Sequence, residues 1–532
     1  GQSQVTDTSN GLATVYAPGW TSYTLSDASL NYDNGAGARH TVNFVNVKRV
    51  ILNGAPNATY ATSSLPNPAT GISSPWSGTA TFNGSGGASV IKSSSTTSLT
   101  LTNNGLTEAG VTITLNNLAI AALYGNNADN TFTISGWTGT GGIDGSGGSD
   151  TVVAVNDTNF TLTNTSLARN GYGTLSLADI ETARLTGGGS ANTFTISGWS
   201  GSGSIAGGGG TDTVVSTNNV DFGLTNNSLT RSGLGSFTLD SVEVATLTGG
   251  SGANAFTVSN WTGSASLDGA GSGDSYTVNI IGSASGTVTI DDSGGSAGNT
   301  LTVNGTAGTD GFTIGGAQVT GGGETINYAN IESLTVNGLG GNDTFNVSGT
   351  SISTTINGGD NDDGFTVNAS SAELTLNGDA GADAMVVNGS SAALALNGGG
   401  GNDNFYLRAF SADVSLNTGS GVNLVSVGSL ELPGAGHVNN IDGKLTINGD
   451  GSDTLHVNDT GDGAANTGLL SSSRLTGLGM AGNDSSKGID YASIETMLVA
   501  LGGGGNTFNI RSTSANTTTT LRTGSGSSTV NV

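Results

Sequence analysis

Four aspartates at twenty-residue intervals are the residues of this sequence best suited to chemistry: Asp343, Asp363, Asp383 and Asp403. Each one ends a glycine-rich turn and stands two positions before a large apolar residue. Glycine allows the left-handed backbone of a tight turn and leaves carbonyl oxygens free to face an ion. Because Ca²⁺ prefers carboxylate and carbonyl oxygens, the four aspartates are predicted calcium ligands, with Asp403 as the first choice.

The turn at residues 398–405 (GGGGNDNF) carries the most complete motif. It matches the calcium nonapeptide G-G-x-G-x-D-x-U, in which U is a large apolar residue. The turns that end at Phe345, Phe365 and Met385 match it with one position changed in each. Other turns, such as residues 187–192, lack the aspartate. The alternative explanation is that Gly-Asn-Asp is favourable turn chemistry without any ion.

A twenty-residue hydrophobic repeat positions these turns. Four columns keep the same step: Phe345, Phe365, Met385, Phe405 and Val425; Val347, Val367, Val387, Leu407 and Val427; Val336, Ile356, Leu376, Leu396 and Leu416; and Asn337, Asn357, Asn377, Asn397 and Asn417. A fixed period of this size indicates a solenoid of stacked coils. Apolar and polar residues alternate at 344–348 and 373–377 as they do in strands.

These patterns predict an all-β fold, a parallel β-helix or β-solenoid with coils of about 20 residues. A coil of that length leaves no room for a helix beside two strands and their turns. The asparagine column is expected at turns, with its amides hydrogen-bonded from coil to coil.

The sequence suggests four segments. Residues 1–90 hold five of the six prolines and the basic cluster Arg39, His40, Lys48 and Arg49, which indicates an atypical N-terminal β-rich cap or assembly segment, or alternatively irregular first coils. Residues 91–290 show a 62-residue super-repeat, interpreted as three coils. Residues 291–430 form the regular solenoid, and residues 431–532 a less regular one that ends in an open strand.

Three tryptophans recur with the super-repeat: Trp137, Trp199 and Trp261. Three whole coils per repeat would place them on one line. They are expected to pack over turns, and the alternative is that they are exposed anchors for a partner.

Composition excludes several classes of protein. The chain has 532 residues, 13 Lys and Arg against 39 Asp and Glu, and a net charge of −26, so it lacks the basic surface that nucleic acid requires. It has no cysteine, and no apolar run approaches the ~20 residues of a transmembrane helix. The composition favours a bacterial secreted or cell-surface protein, and a first residue other than Met fits a signal peptide already removed.

The sequence resembles two groups of proteins. Its turns resemble the hemolysin-type (RTX) calcium repeat. The pattern from 300–305 (TLTVNG) through 328–338 (YANIESLTVNG) to 341–345 (GNDTF) resembles large bacterial surface proteins built of β-strand repeats, and the likeness covers most of residues 120–530. The resemblance implies an extracellular solenoid with calcium at its turns. RTX coils carry tandem nonapeptides with calcium at both turns; this chain has one such turn per coil, which implies a single row.

Catalysis has little support in the sequence. There are only three histidines, and the densest carboxylates, Asp360, Asp362 and Asp363, lie inside a repeat turn. The expected function is therefore structural rather than enzymatic. The chain is expected to assemble head-to-tail with copies of itself into a filament, sheath or surface layer, using residues 1–90 and the strand at 528–532, with calcium as a stabiliser. The alternative is the stalk of an adhesin that binds glycan or a neighbouring cell.

Overall fold

In the computed structural model the protein is almost entirely β-structure, with 54% of its residues in strands. The structure describes residues 4–6, 14–25, 29–33, 39–43, 49–62, 79–84, 89–94, 98–108, 110–282, 286–295, 298–428, 436–450 and 452–532. These residues form two compact units, Gly1–Thr248 and Gly249–Val532, and their one helical element is the short 3₁₀ segment Met480–Asn483. The predicted β-solenoid is confirmed.

In the second unit each regular coil gives one strand to sheet C and one to sheet D. Sheet C contains Ser264–Ala270, Thr287–Asp291, Gly311–Ile314, Gln318–Gly321, Glu324–Ala329, Thr344–Val347, Gly364–Val367, Ala384–Val387, Asn404–Leu407, Leu424–Val427, Thr454–Asn458, Thr496–Ala500 and Thr518–Arg522. Sheet D contains Ala255–Ser259, Ser275–Asn279, Thr300–Asn304, Ser333–Gly340, Ser353–Asp360, Leu374–Ala380, Leu394–Asn397, Val414–Asn417, Lys444–Asn448, Thr467–Ser471, Arg474–Gly477, Gly488–Ala492, Thr507–Ile510 and Thr529–Asn531.

The twenty-residue register of the second unit is the one that the repeat predicts. Phe345 is paired with Phe365, and Met385 with Phe405, in parallel strands. These side chains are buried and stack on one another, with 4.9 Å between the ring centroids of Phe345 and Phe365. Alternate residues point into a continuous core, as period-two patterning requires.

The first unit has the same two-sheet construction. Sheet A contains Val90–Ser94, Ile120–Tyr124, Thr140–Asp144, Phe160–Thr163, Ser166–Arg169, Leu175–Ala178, Thr193–Thr195, Thr213–Thr217 and Val244–Gly250. Sheet B contains Thr79–Asn83, Leu99–Thr102, Gly105–Glu108, Val111–Asn116, Thr131–Thr133, Thr151–Val155, Thr182–Thr186, Ser202–Ala206, Phe222–Thr225, Ser228–Arg231 and Phe237–Asp240.

The N-terminal segment is β-rich and differs from the coils, as predicted. Its strands are Gln4–Thr6, Thr14–Leu25, Ser29–Asp33, Arg39–Asn43 and Arg49–Thr62. The first four form antiparallel pairs. The long strand Arg49–Thr62 runs parallel to Thr14–Leu25 and also pairs with the first strand of each sheet, Thr79–Asn83 and Val90–Ser94. Residues 63–78, with three of the prolines, lie outside the described residues.

Both units contain three-stranded antiparallel meanders, which the sequence analysis did not predict. In sheet C, Gly311–Ile314 pairs with the strand of the following coil, Thr344–Val347. The middle strand Gln318–Gly321 is antiparallel to both of its neighbours. The third strand, Glu324–Ala329, pairs back with the preceding coil at Thr287–Asp291. Strand order within a meander is thus the reverse of chain order.

The interpretation of the 62-residue super-repeat as three coils is wrong, because each repeat contains one meander. In the first unit this shifts the equivalent strand to the other sheet: Thr131–Thr133 pairs within sheet B, and its counterpart Thr193–Thr195 within sheet A. Trp137 and Trp199, which follow these two strands, therefore do not share one line. Both are buried, as is Trp261, so the alternative that they are exposed anchors for a partner is wrong.

Candidate functional site: an inward aspartate column

The structure places Asp343, Asp363, Asp383 and Asp403 in one inward-facing column. Each lies where the chain passes from sheet D to sheet C, and each is at most 3% exposed. Every carboxylate accepts at Oδ1 the backbone N–H of the column residue one coil earlier. The N···O distances run from Asp310 to Asp343 (2.7 Å), from Asp343 to Asp363 (2.7 Å), from Asp363 to Asp383 (2.8 Å) and from Asp383 to Asp403 (2.9 Å).

The column includes residues that sequence reasoning missed. Asn423 caps the N–H of Asp403 at 2.8 Å. In the first unit Asp150 accepts the N–H of Asn130, and Asp212 that of Asn192, each at 2.7 Å. We call the run in the second unit the Asx column; its members are Asp310, Asp343, Asp363, Asp383, Asp403, Asn423 and Asp453. The same inward bond recurs in three shorter runs: Asn130 and Asp150; Asn192 and Asp212; and Asn254, Asp274 and Asn299. Meanders break the constant spacing, which is why a twenty-residue search finds only part of it.

A glycine five residues earlier makes room for each of the four predicted ligands. A Cβ on that glycine would come within 2.2–2.3 Å of the aspartate Oδ2. The glycines are Gly338, Gly358, Gly378 and Gly398. The glycine that recurs five residues before each aspartate is therefore a sequence signal that could have identified the inward orientation of the side chain.

The other carboxylate oxygen, Oδ2, has no hydrogen-bond donor within the described structure at any of the four aspartates. The cause is the backbone conformation of the residue four positions before each aspartate. Where that residue has an ordinary backbone, its N–H caps the side chain, as Thr306 does for Asp310 Oδ2 at 2.6 Å. In the four predicted turns it is left-handed instead, with φ of 78° at Leu339, 107° at Gly359, 69° at Asp379 and 99° at Gly399, and its N–H makes no such bond.

Burial without a second donor favours the neutral carboxyl. It raises the pKa of Asp343 and Asp363 from 3.8 to about 6, and that of Asp383 to about 7, against the lowering effect of the N–H bond. Neighbouring carboxylates of the column raise the pKa further. The pKa of Asp403 is raised for the same first reason.

The fit to calcium can be judged from the same atoms. Ca²⁺ takes about 6–8 oxygen ligands, whereas each aspartate here has one oxygen bonded to an N–H and the other against a glycine Cα. Across the described residues no three His, Cys, Asp or Glu side chains converge as a metal site. A calcium ion would need these turns to open, so calcium binding by the column stays a prediction.

The outward asparagine ladder lies beside this column. The Nδ2 of each asparagine donates to Oδ1 of the one before: Asn357 to Asn337 at 2.7 Å, Asn377 to Asn357 at 2.6 Å and Asn397 to Asn377 at 2.8 Å. The predicted amide ladder is thus confirmed, although its members lie in the strands of sheet D rather than in turns. The ladder cross-links successive coils on the outer face.

Within the described residues no helix has the length and apolar character needed to cross a membrane. Comparison with family models and with curated proteins finds no match to this chain.

Proposed function

We propose that this protein is an extracellular structural β-solenoid that assembles with copies of itself. The observation that carries the proposal is the equivalence of successive coils in the second unit. Each regular coil repeats the register, the inward stack of apolar side chains and the asparagine bond of the coil before it. A structure that grows by adding equivalent coils can also grow by adding a further chain, because the same contacts are available.

In the proposed contact, a further chain would extend both sheets beyond the last described coil. Thr518–Arg522 pairs with Thr496–Ala500, and Thr529–Asn531 with Thr507–Ile510; no other described strand pairs with either. Val530, at a position that is inward in other coils, is 38% exposed. Unpaired N–H and C=O groups on a parallel edge are satisfied by an added strand. Such a head-to-tail contact does not close on itself and therefore propagates.

Chain composition and charge favour an extracellular location for this assembly. The sequence has no cysteine and a net charge of −26, and calcium would reduce the repulsion among its carboxylates. The adhesin alternative has lost a candidate surface, since the tryptophans that could have anchored a partner are buried.

The test is sedimentation and negative-stain microscopy of the full chain over a range of concentrations, with calcium and with chelator. Val530→Arg places a charge in the exposed edge, and Asn516→Arg, in an exposed turn nearby, is the matched control. We expect filaments from the unmodified chain and the control, and monomers from Val530→Arg. A full chain that stays monomeric at high concentration, or Val530→Arg filaments like those of the control, would refute head-to-tail assembly through this edge.

A further inference from the structure

A buried carboxyl pair lies at the start of the second unit, outside the four predicted calcium turns. Asp274 precedes the strand Ser275–Asn279, and Asp292 follows the strand Thr287–Asp291. Both are at most 1% exposed. They meet beside Gly269: a Cβ there would lie 2.3 Å from Asp274 Oδ2, and the Gly269 N–H donates to the Tyr276 hydroxyl that donates to Asp292. Asp292 is a hydrogen-bonding neighbour of Asp274. Tyr276, also 1% exposed, completes the cluster.

The two carboxyl groups have four oxygens, but only three hydrogen-bond donors reach them among the described residues. Asp274 Oδ1 accepts the N–H of Asn254 at 2.6 Å. Asp292 Oδ2 accepts the Tyr276 hydroxyl at 2.9 Å, and Asp292 Oδ1 accepts the N–H of Gly294 at 3.3 Å. The Tyr276 oxygen itself accepts the N–H of Gly269 at 2.6 Å, which fixes the direction of its proton. Asp274 Oδ2 has no donor among the described residues, and its neighbour is another carboxyl.

Two carboxylates can form a hydrogen bond only if one of them carries a proton. We propose that Asp274 and Asp292 share one proton, and that this proton fastens the end of Thr287–Asp291 to the turn before Ser275–Asn279. The pair is thus a pH-sensitive clasp that holds while the shared proton is bound and opens as the pH rises and the proton is lost. It is a property of the fold and does not depend on the proposed assembly.

Among the described residues, the elements that pack against the pair offer it no compensating charge. Asp268, at the end of the strand Ser264–Ala270, is half-buried and accepts bonds from Ser293. Asp291 accepts the amide of Asn330, and Glu332 accepts the N–H of Asn299. All of these groups are acidic. Burial first, and then the charge and contact of Asp292, raise the pKa of Asp274, which agrees with the donor count.

The clasp predicts an unusual result for two single substitutions. In Asp274→Asn the new amide N–H donates to Asp292, and in Asp292→Asn it donates to Asp274. The remaining carboxylate then has a full set of donors and stays ionised near neutral pH. Each substitution alone should therefore remove the whole shared proton, whereas two independent buried acids would lose one titration step each.

The experiment is difference proton titration of the full chain against each variant, from acid to alkaline pH, with circular dichroism to check folding. We expect the unmodified chain to release one more proton above the usual carboxyl range than either variant releases. Asp268→Asn is the control, and it should keep the step. Tyr276→Phe should also keep it but move it to higher pH, because ionised Asp292 loses its hydroxyl donor.

Three outcomes would overturn the proposal. One is a raised step that survives in either asparagine variant, which means that the acids titrate independently. Another is the absence of a difference between the unmodified chain and both variants. The third is a step that appears only after chelation or removal of salt, which means that a cation and not a proton bridges the pair.

Discussion

Asp383→Asn is the substitution that tests the Asx column most directly. Burial raises the pKa of Asp383 from 3.8 to about 7. The pKa of Asp383 is higher in the folded state than in the unfolded state, so the protonated side chain contributes to stability. This contribution is fully present below the unfolded-state pKa of 3.8 and is lost as the pH rises through about 7. The difference of about 3 pKa units, at ~1.36 kcal/mol each, corresponds to about 4 kcal/mol of unfolding free energy lost at alkaline pH. Water entering an opened turn would reduce this loss, and we take about 2 kcal/mol as its lower bound.

Asparagine suits the same position, because the column already uses it. The amide of Asn423 accepts the N–H of Asp403 and donates to the carbonyl of Gly419 at 3.3 Å, a residue that is also left-handed. The asparagine introduced by Asp383→Asn would keep the acceptor for the N–H of Asp363 and could add that donor. We therefore expect the substitution to stabilise its coil by about 2–4 kcal/mol at pH 8 and by almost nothing at pH 4.

The assay is hydrogen exchange at residues 363–367 and 383–387, since coils of a solenoid open locally and a single melting temperature averages over them. Asp362→Asn is the matched control: it removes one carboxylate from the turn one coil earlier, where Asp362 is exposed and caps the N–H of Ala382 at 2.8 Å. The protonated column is refuted if Asp383→Asn lowers protection at pH 8. Repeating the measurement with calcium and with chelator shows whether a bound ion is the reason.

Three further substitutions test the packing. Phe365→Ala should cost about 3–5 kcal/mol, seen as a lower denaturation midpoint, because it removes a buried ring that packs between Phe345 and Met385. Gly378→Ala should cost about 1–3 kcal/mol in the same assay, because its Cβ would lie 2.3 Å from Asp383 Oδ2. Arg169→Met should cost about 1–3 kcal/mol and redshift tryptophan emission, since it strips the buried 2.8 Å bond from the Trp137 carbonyl.

The regular part of the fold could be predicted because register and repeat are the same quantity in a parallel solenoid. A step of twenty in sequence places Phe345 beside Phe365 and Asn337 beside Asn357, and no other arrangement satisfies every column at once. The meanders could not be predicted this way. Phe160–Thr163 alternates buried and exposed residues whether its neighbour is parallel or antiparallel, and the direction is decided by short turns that leave the 62-residue period unchanged.

The orientation of the column aspartates was hidden for a different reason. Whether the carboxylate is capped depends on the backbone of the residue four positions earlier. At two of the four turns that residue is Leu339 or Asp379, and neither residue type by itself predicts a left-handed conformation. Sequence analysis identified these aspartates by their twenty-residue spacing and predicted them to be calcium ligands, but it did not predict that their side chains point into the coil.

The inward column changes what the nonapeptide match means. Gly125 and Gly187 precede Asn130 and Asn192 by the same five positions, and a Cβ on either would lie 2.3 Å from the amide oxygen. An amide carries no charge for a cation, so the glycine is required by the inward side chain and not by an ion. Residues 187–192 (GGGSAN) lack the aspartate because an inward asparagine meets the same need.

A calcium requirement, if the chain has one, must therefore be separable from the column. Asp403→Asn keeps the Oδ1 acceptor that Asp383 uses and removes the charge from the most complete motif. We expect its folding, followed by circular dichroism during thermal denaturation, to respond to calcium and chelator as the unmodified chain does. Such a result would assign any calcium effect to exposed turn oxygens such as those of Asp362. If Asp403→Asn alone loses the calcium response, the column is the calcium site, and the argument that the glycines serve only the packing of the inward side chains is wrong.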